Sequence, residues 1–129
     1  MARILFTLTA FAALAACSGG PSASCDRAAV VKLSDIQASV FTPSCATSSC
    51  HAGARPSQKL SLEDGKTLAA VVGVPSRLDG THQLVKPGDP ASSELFLEMD
   101  DGRMPQNASK LTDAQIIQVR DWICGGAQP

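Results

Sequence analysis

From Cys25 onward the apolar positions fall into four short stretches with the three-to-four-residue spacing of helices, set between long polar loops. In the first, Ile36 and Val40, with Phe41 beside them, form the apolar stripe. Ser34 with Gln37 three residues on reads as a capping box, and Pro43 is expected to end the helix. A second helix is expected from Ser61 to Val72. Gly73 suits the position just past its end and Pro75 lies beyond, although Gly65 inside it is a poor helix former. Asp89 as N-cap and Pro90 in the first turn open a third helix, running to about Met99. The fourth start carries the most signals. Thr112 and Gln115 make a second capping box, and Leu111 and Ile116 a hydrophobic staple. Ile116, Val119 and Ile123 repeat along one face, which Trp122 widens and Gly125 closes. No stretch makes a convincing sheet, and there is no internal repeat. The pattern predicts an all-α domain of about four short helices, with long loops at Cys45–Lys59, Val74–Gly88 and Asp100–Lys110.

The first residues follow a different pattern. Arg3 is a one-charge leader, and Ile4–Ala13 is an apolar run too short to span a bilayer as a helix. Leu14-Ala15-Ala16-Cys17 then resembles the lipobox of bacterial lipoproteins, in which cleavage falls before the cysteine and the cysteine is acylated. The organisation expected is a signal peptide over 1–16, a lipid-anchored flexible tether over 17–24 and one domain over 25–129. An ordinary signal peptide cut near Ala16, with Cys17 free or disulfide-bonded, is the other reading. Both place the protein outside the cytoplasm, where disulfides are permitted.

Composition sharpens the picture. With 1–16 set aside, the aromatics are Phe41, Phe96 and Trp122, a thin supply for a core of about a hundred residues. Disulfides, a metal or a large buried cofactor would supplement it. Short helices joined by long ordered loops suit a wrapper around a flat cofactor better than a self-supporting bundle. The 11 basic and 12 acidic side chains of the full chain leave a net charge of −1. That balance provides no broad positive field for nucleic acid.

Cys45-Ala46-Thr47-Ser48-Ser49-Cys50-His51 carries the candidate chemistry. Covalent haem attachment needs two thiols to add across two vinyl groups. It also needs a histidine directly after the second thiol, so that the imidazole reaches the iron. The common spacing is C-x-x-C-H; here it is C-x-x-x-x-C-H, and Thr47, Ser48 and Ser49 suit a small bulge. The same residues also admit a local Cys45–Cys50 disulfide, or a zinc site to which only His82 and a distant thiol could be added. Adjacency does not aim the His51 imidazole at the Cys50 thiol, and no orienting partner is evident, so nucleophilic catalysis finds little support. There is no phosphate-binding loop. Asp100-Asp101-Gly102 offers too few oxygens for calcium and reads as a solvated turn.

Several stretches resemble the small cytochrome-c-like domains of exported bacterial lipoproteins. They are Ile36 through Cys45 to Cys50-His51-Ala52-Gly53, Leu60-Ser61-Leu62, Lys86-Pro87-Gly88-Asp89-Pro90 to Leu95, Met104-Pro105, and Leu111-Thr112 to Ala127. Together they span nearly all of Cys25–Ala127. The resemblance implies a monohaem c-type electron carrier rather than an enzyme. Haem c would be attached through Cys45 and Cys50, with His51 as proximal and Met104 as distal iron ligand, and the last helix would pack across the first. With both axial positions filled, outer-sphere electron transfer is the implied activity, and Met ligation raises the potential. His82 is the reserve ligand, while Met99 and Trp122 read as packing. The implied partners are a redox protein of the cell envelope and the membrane, through the lipid on Cys17. Ser18 in the next position is not the Asp-type signal for retention in the inner membrane, so the resemblance implies the outer membrane, if the cell has one, or a periplasm-facing anchor.

Cys25 and Cys124 depart from the family pattern. They flank the first and last helical regions and suggest a disulfide, so that one lipidated, two haem-bearing and two bridged cysteines account for all five. The four cysteines after Cys17 nonetheless allow three pairings. Cys45–Cys50 together with Cys25–Cys124 would make a haem-free, doubly bridged lipoprotein interaction domain.

Overall fold

A computed structural model describes residues 21–78 and 80–129. The expected signal peptide and the acylated Cys17 lie outside the described residues. The fold is helical, and among the described residues only isolated bridges form, with no sheet.

The first helix, α1 (Leu33–Ile36), continues directly into a π-helical segment, Gln37–Cys45. Two expectations are corrected here. Lys32, not Ser34, is the N-cap, and no side chain caps the helix. Gln37 is instead buried: its Nε2 donates to the Leu62 carbonyl (2.9 Å) and to Thr42 Oγ1 (3.1 Å), and its Oε1 accepts from Thr67 Oγ1 (2.7 Å). A buried amide must satisfy its bonding groups, and that requirement outweighs a solvent-facing cap. Pro43 does not end the helix either. The turn widens, so that the Ala46 amide bonds Phe41 O at 2.7 Å. The Ser39 carbonyl, which an amide at position 43 would reach in an α-helix, accepts from Gln115 Nε2 instead (3.0 Å).

Helix α2 covers only Thr67–Val71. Gly65, at φ +76°, turns the chain out of helical geometry and removes the first part of the expected span, while Gly73 (φ +71°) ends it as expected. The third expected helix is divided. Asp89 caps a 3-10 turn, Pro90–Ser92, by accepting from the Ser92 amide, and Ser93 is extended. Helix α3 then runs Glu94–Asp100. The reason for the break is competition. The Glu94 and Leu95 amides bond the Gln83 and Leu84 carbonyls, both at 2.9 Å, and the Ser93 hydroxyl donates back to Asp89 O.

Helix α4 (Asp113–Cys124) follows the sequence closely, with both halves of the Thr112–Gln115 capping box formed. Leu111 and Ile116 are both buried in the core, as are Val119, Trp122 and Ile123. The α4 helix packs on α1 and α3. Phe41 and Trp122 meet edge to face, with ring centres 6.5 Å apart. Cys25 and Cys124 are bridged, with Cα atoms 5.5 Å apart, so the described N-terminal strap is fastened to the end of α4. Ser22 and Ala23, within the expected tether, are also engaged. Arg120 donates to the Ser22 carbonyl, and Ala23 packs against the core.

Candidate functional site

The π-helical segment ends on Cys45 and buries it along with Val40 and Phe41. Four residues then loop outward. The Cys50 amide bonds Thr47 O (3.0 Å), and the His51 amide returns to the Cys45 carbonyl (3.1 Å), closing the loop on itself. This is the bulge expected of the longer spacing, and it brings Cys45, Cys50 and His51 into one closed turn. The Cys50 carbonyl accepts from Ser57 N (2.7 Å) and the His51 carbonyl from Leu62 N (2.8 Å), so the turn is anchored from behind.

The imidazole is also oriented. His51 Nδ1 lies 3.2 Å from the Leu60 carbonyl. A carbonyl can only accept, so Nδ1 carries the proton and the lone pair of the neutral ring sits on Nε2. Gln58 and Lys59, both with positive φ, turn the chain just before Leu60. No side-chain motif marks this carbonyl, so sequence reasoning did not single it out as part of the site.

Cys45 and Cys50 are not bridged to each other. The two thiols differ. Burial, with a smaller contribution from Cys50, pushes Cys45 up from 9.0 to about 11. Hydroxyl hydrogen bonds from Thr47 and Ser49 hold Cys50 below its ordinary value. Folding therefore favours the neutral Cys45 thiol: that contribution is whole below pH 9.0 and is lost as pH rises through about 11. In haem-free protein near neutral pH, iodoacetamide is expected to alkylate Cys50 well ahead of Cys45, because the thiolate is the nucleophile and Cys45 is both buried and protonated. Equal rates by peptide mass spectrometry would contradict that order.

Met104 stands between α3 and α4, half-buried, with its amide on the Glu98 carbonyl (2.9 Å). Among the described residues no hydrogen bond joins its loop to the Cys45–Leu62 loop. His82 Nδ1 lies 3.3 Å from the buried Glu94 carboxylate. Met99 is core, as expected, at 3% exposure. Among the described residues no three His, Cys, Asp or Glu side chains stand close enough together to hold a metal ion.

The donor chemistry at the turn fits haem. It has two unbridged thiols of unequal depth, followed at once by a histidine whose Nδ1 is already committed. Two hollows of about 370 and 270 Å³ are lined respectively by residues around Cys25 and Cys124 and by residues around Leu33 and Leu68. Neither touches Cys45, Cys50, His51 or Met104. In comparisons with protein-family models, with curated proteins and with solved structures, nothing matches this chain.

Proposed function

We propose that this chain is a lipid-anchored monohaem c-type cytochrome domain that transfers electrons at the cell envelope. The reading extends the helical fold to a cytochrome-c-like wrapping of α1 to α4 around haem c. The observation that carries it is the His51 ring. Its Nδ1 is held on the Leu60 carbonyl, which leaves Nε2 as the donor, directly after two unbridged thiols. Elsewhere the chain pairs the cysteines it can pair, Cys25 with Cys124. The haem-free alternative needs a Cys45–Cys50 bridge, and both residues carry free thiols.

Haem, when bound, supplies a one-electron iron centre. The chain's own residues do the rest. Cys45 and Cys50 each add one S–H across a vinyl group, fixing the ring covalently. The Leu60 carbonyl orients His51 and raises its basicity as a ligand. Met104 would supply a thioether to the iron, and a domain whose own His51 and Met104 hold the iron would carry electrons rather than turn over a substrate. The partners are a redox protein of the envelope and the membrane that Cys17 anchors to, the outer membrane where the cell has one.

The direct test is mass. The full chain is exported in cells that co-express a cytochrome c maturation system. The mature protein should weigh one haem more than its peptide, and the haem should resist acid-acetone extraction. A peptide mass without haem, with Cys45 and Cys50 in a disulfide, would overturn the reading in favour of the bridged interaction domain.

A further inference from the structure

We propose that the strap Arg27–Lys32 is a membrane-facing surface that lays this end of the domain against an anionic bilayer. The proposal rests on the lipid anchor at Cys17 and is independent of haem. Ala28, Ala29, Val30 and Val31 are four consecutive apolar residues between Arg27 and Lys32. Ala29 and Val30 are exposed, Val30 at 99%, Ala28 is half-buried, and Val31 is half-buried and packed against the core. Single exposed apolar residues need no explanation, but an exposed Ala29-Val30 pair held rigidly between two exposed cations offers a contact surface.

This run is held rigidly. Cys25 is bonded to Cys124, the Ala29 amide donates to the buried Asp121 carboxylate at 3.0 Å, and Arg120 donates to Ser22 O at 3.3 Å. The strap is thus pinned to α4 ahead of the apolar run and at its second residue, Ala29, while Val30 projects from it. Arg27 and Lys32 flank the run and are exposed; Asp26 is the acid beside them, which leaves the strap with one net positive charge. Asp121 is neutralised from within by Arg120, at 2.6 Å.

The occupant follows from where the chain leaves the fold. Ser22 is already tied to Arg120, and Cys17 lies five residues before it, a span of at most about 17 Å when fully extended. An acyl anchor at Cys17 therefore keeps the strap face within reach of the bilayer surface. Basic residues around a short apolar run match anionic headgroups above acyl chains. The tether supplies the effective concentration, so a weak contact is enough to orient the domain. Lys32 is the N-cap of α1, and Cys45 ends the π-helical segment that continues it. The Cys50–His51 turn follows Cys45, so this rod carries it away from the strap by up to about 20 Å, leaving it open to a redox partner.

The test is hydrogen exchange on the full lipidated chain bound to phosphatidylglycerol-containing vesicles. The reference is the unlipidated Cys17→Ala chain in solution. Val30, Val31 and Lys32 amides are expected to exchange about fivefold more slowly on the vesicles, the effect of one net surface cation, while residues 54–59 exchange as in solution. Val30→Asp alters a fully exposed side chain and leaves the disulfide in place. It should restore the solution rate with the protein still floating with the vesicles. Flotation without slowing overturns the membrane-facing strap and leaves the anchor standing. Failure to float shows that Cys17 is not acylated and overturns both. Slowing that grows with the surface density of protein assigns the strap to a second copy of the chain and overturns the bilayer as its occupant.

Discussion

Cys25→Ser combined with Cys124→Ser is expected to lower the free energy of unfolding by about 4 kcal/mol. The bridge joins residues 99 apart, so it removes nearly the whole chain's freedom from the unfolded state. Among the described residues the core contains three aromatic side chains, Phe41, Phe96 and Trp122, and so has little surplus to absorb that loss. The folded state weakens at one place as well. Without the bridge, the Ala29 and Ser22 contacts must hold the strap over Asp121 unaided. Trp122 is the single tryptophan, buried two residues from Cys124, so its emission reports the transition in urea. The midpoint should fall while the slope steepens, because an unlinked chain exposes more surface. Thermal unfolding should drop by about 4–8 °C for each kcal/mol lost. A loss below about 1 kcal/mol would mean that the bridge closes a chain already ordered when unfolded, contrary to the entropic account.

Met104→Ala in haem-loaded protein is expected to leave the haem attached, lower the potential, and open the iron to carbon monoxide. In the proposed reading the first outcome follows because attachment would depend on Cys45 and Cys50, in a different loop. The other two follow because a Met104 thioether would favour reduced iron and compete with carbon monoxide for it. The wild-type oxidised protein should show the weak far-red sulfur-to-iron band, and the variant should lack it. Persistence of the band in the variant would move the sulfur ligand elsewhere. Met99 would then have to leave a core in which it is 3% exposed. Absence of the band from the wild type points to nitrogen ligation, and His82 would have to leave its place beside Glu94. A bis-histidine centre would keep the cytochrome reading, with a lower potential and different redox partners.

Local rules carried far where the chain's own neighbours decide the geometry. The start and stop of α4 are a matter of Thr112, Gln115 and the residues just after Cys124, and they stand as read. The four-residue bulge between Cys45 and Cys50 follows from counting positions and from the turn-forming residues within it. Helix existence was legible too, because apolar spacing survives any change in how the ends are finished.

Other features required atoms distant in sequence. Gln37 looks like a capping residue until Leu62 and Thr67 are beside it, and then its amide serves the interior. Pro43 looks like a helix terminator until Gln115, from the far end of the chain, takes the carbonyl that the missing amide leaves open. Ser93 breaks what reads as one helix because carbonyls from residues 83 and 84 claim its first amides. The Leu60 carbonyl on His51 belongs to the same class. Every residue except proline carries the same backbone donor and acceptor, so side-chain identity cannot say which of them will meet. The sequence by itself determined an all-helical pattern, the bulge between Cys45 and Cys50 and the candidate donors. The tertiary structure alone decided which backbone groups those elements satisfy, and so which way the His51 ring faces, because those bonds form only once packing has brought distant segments together.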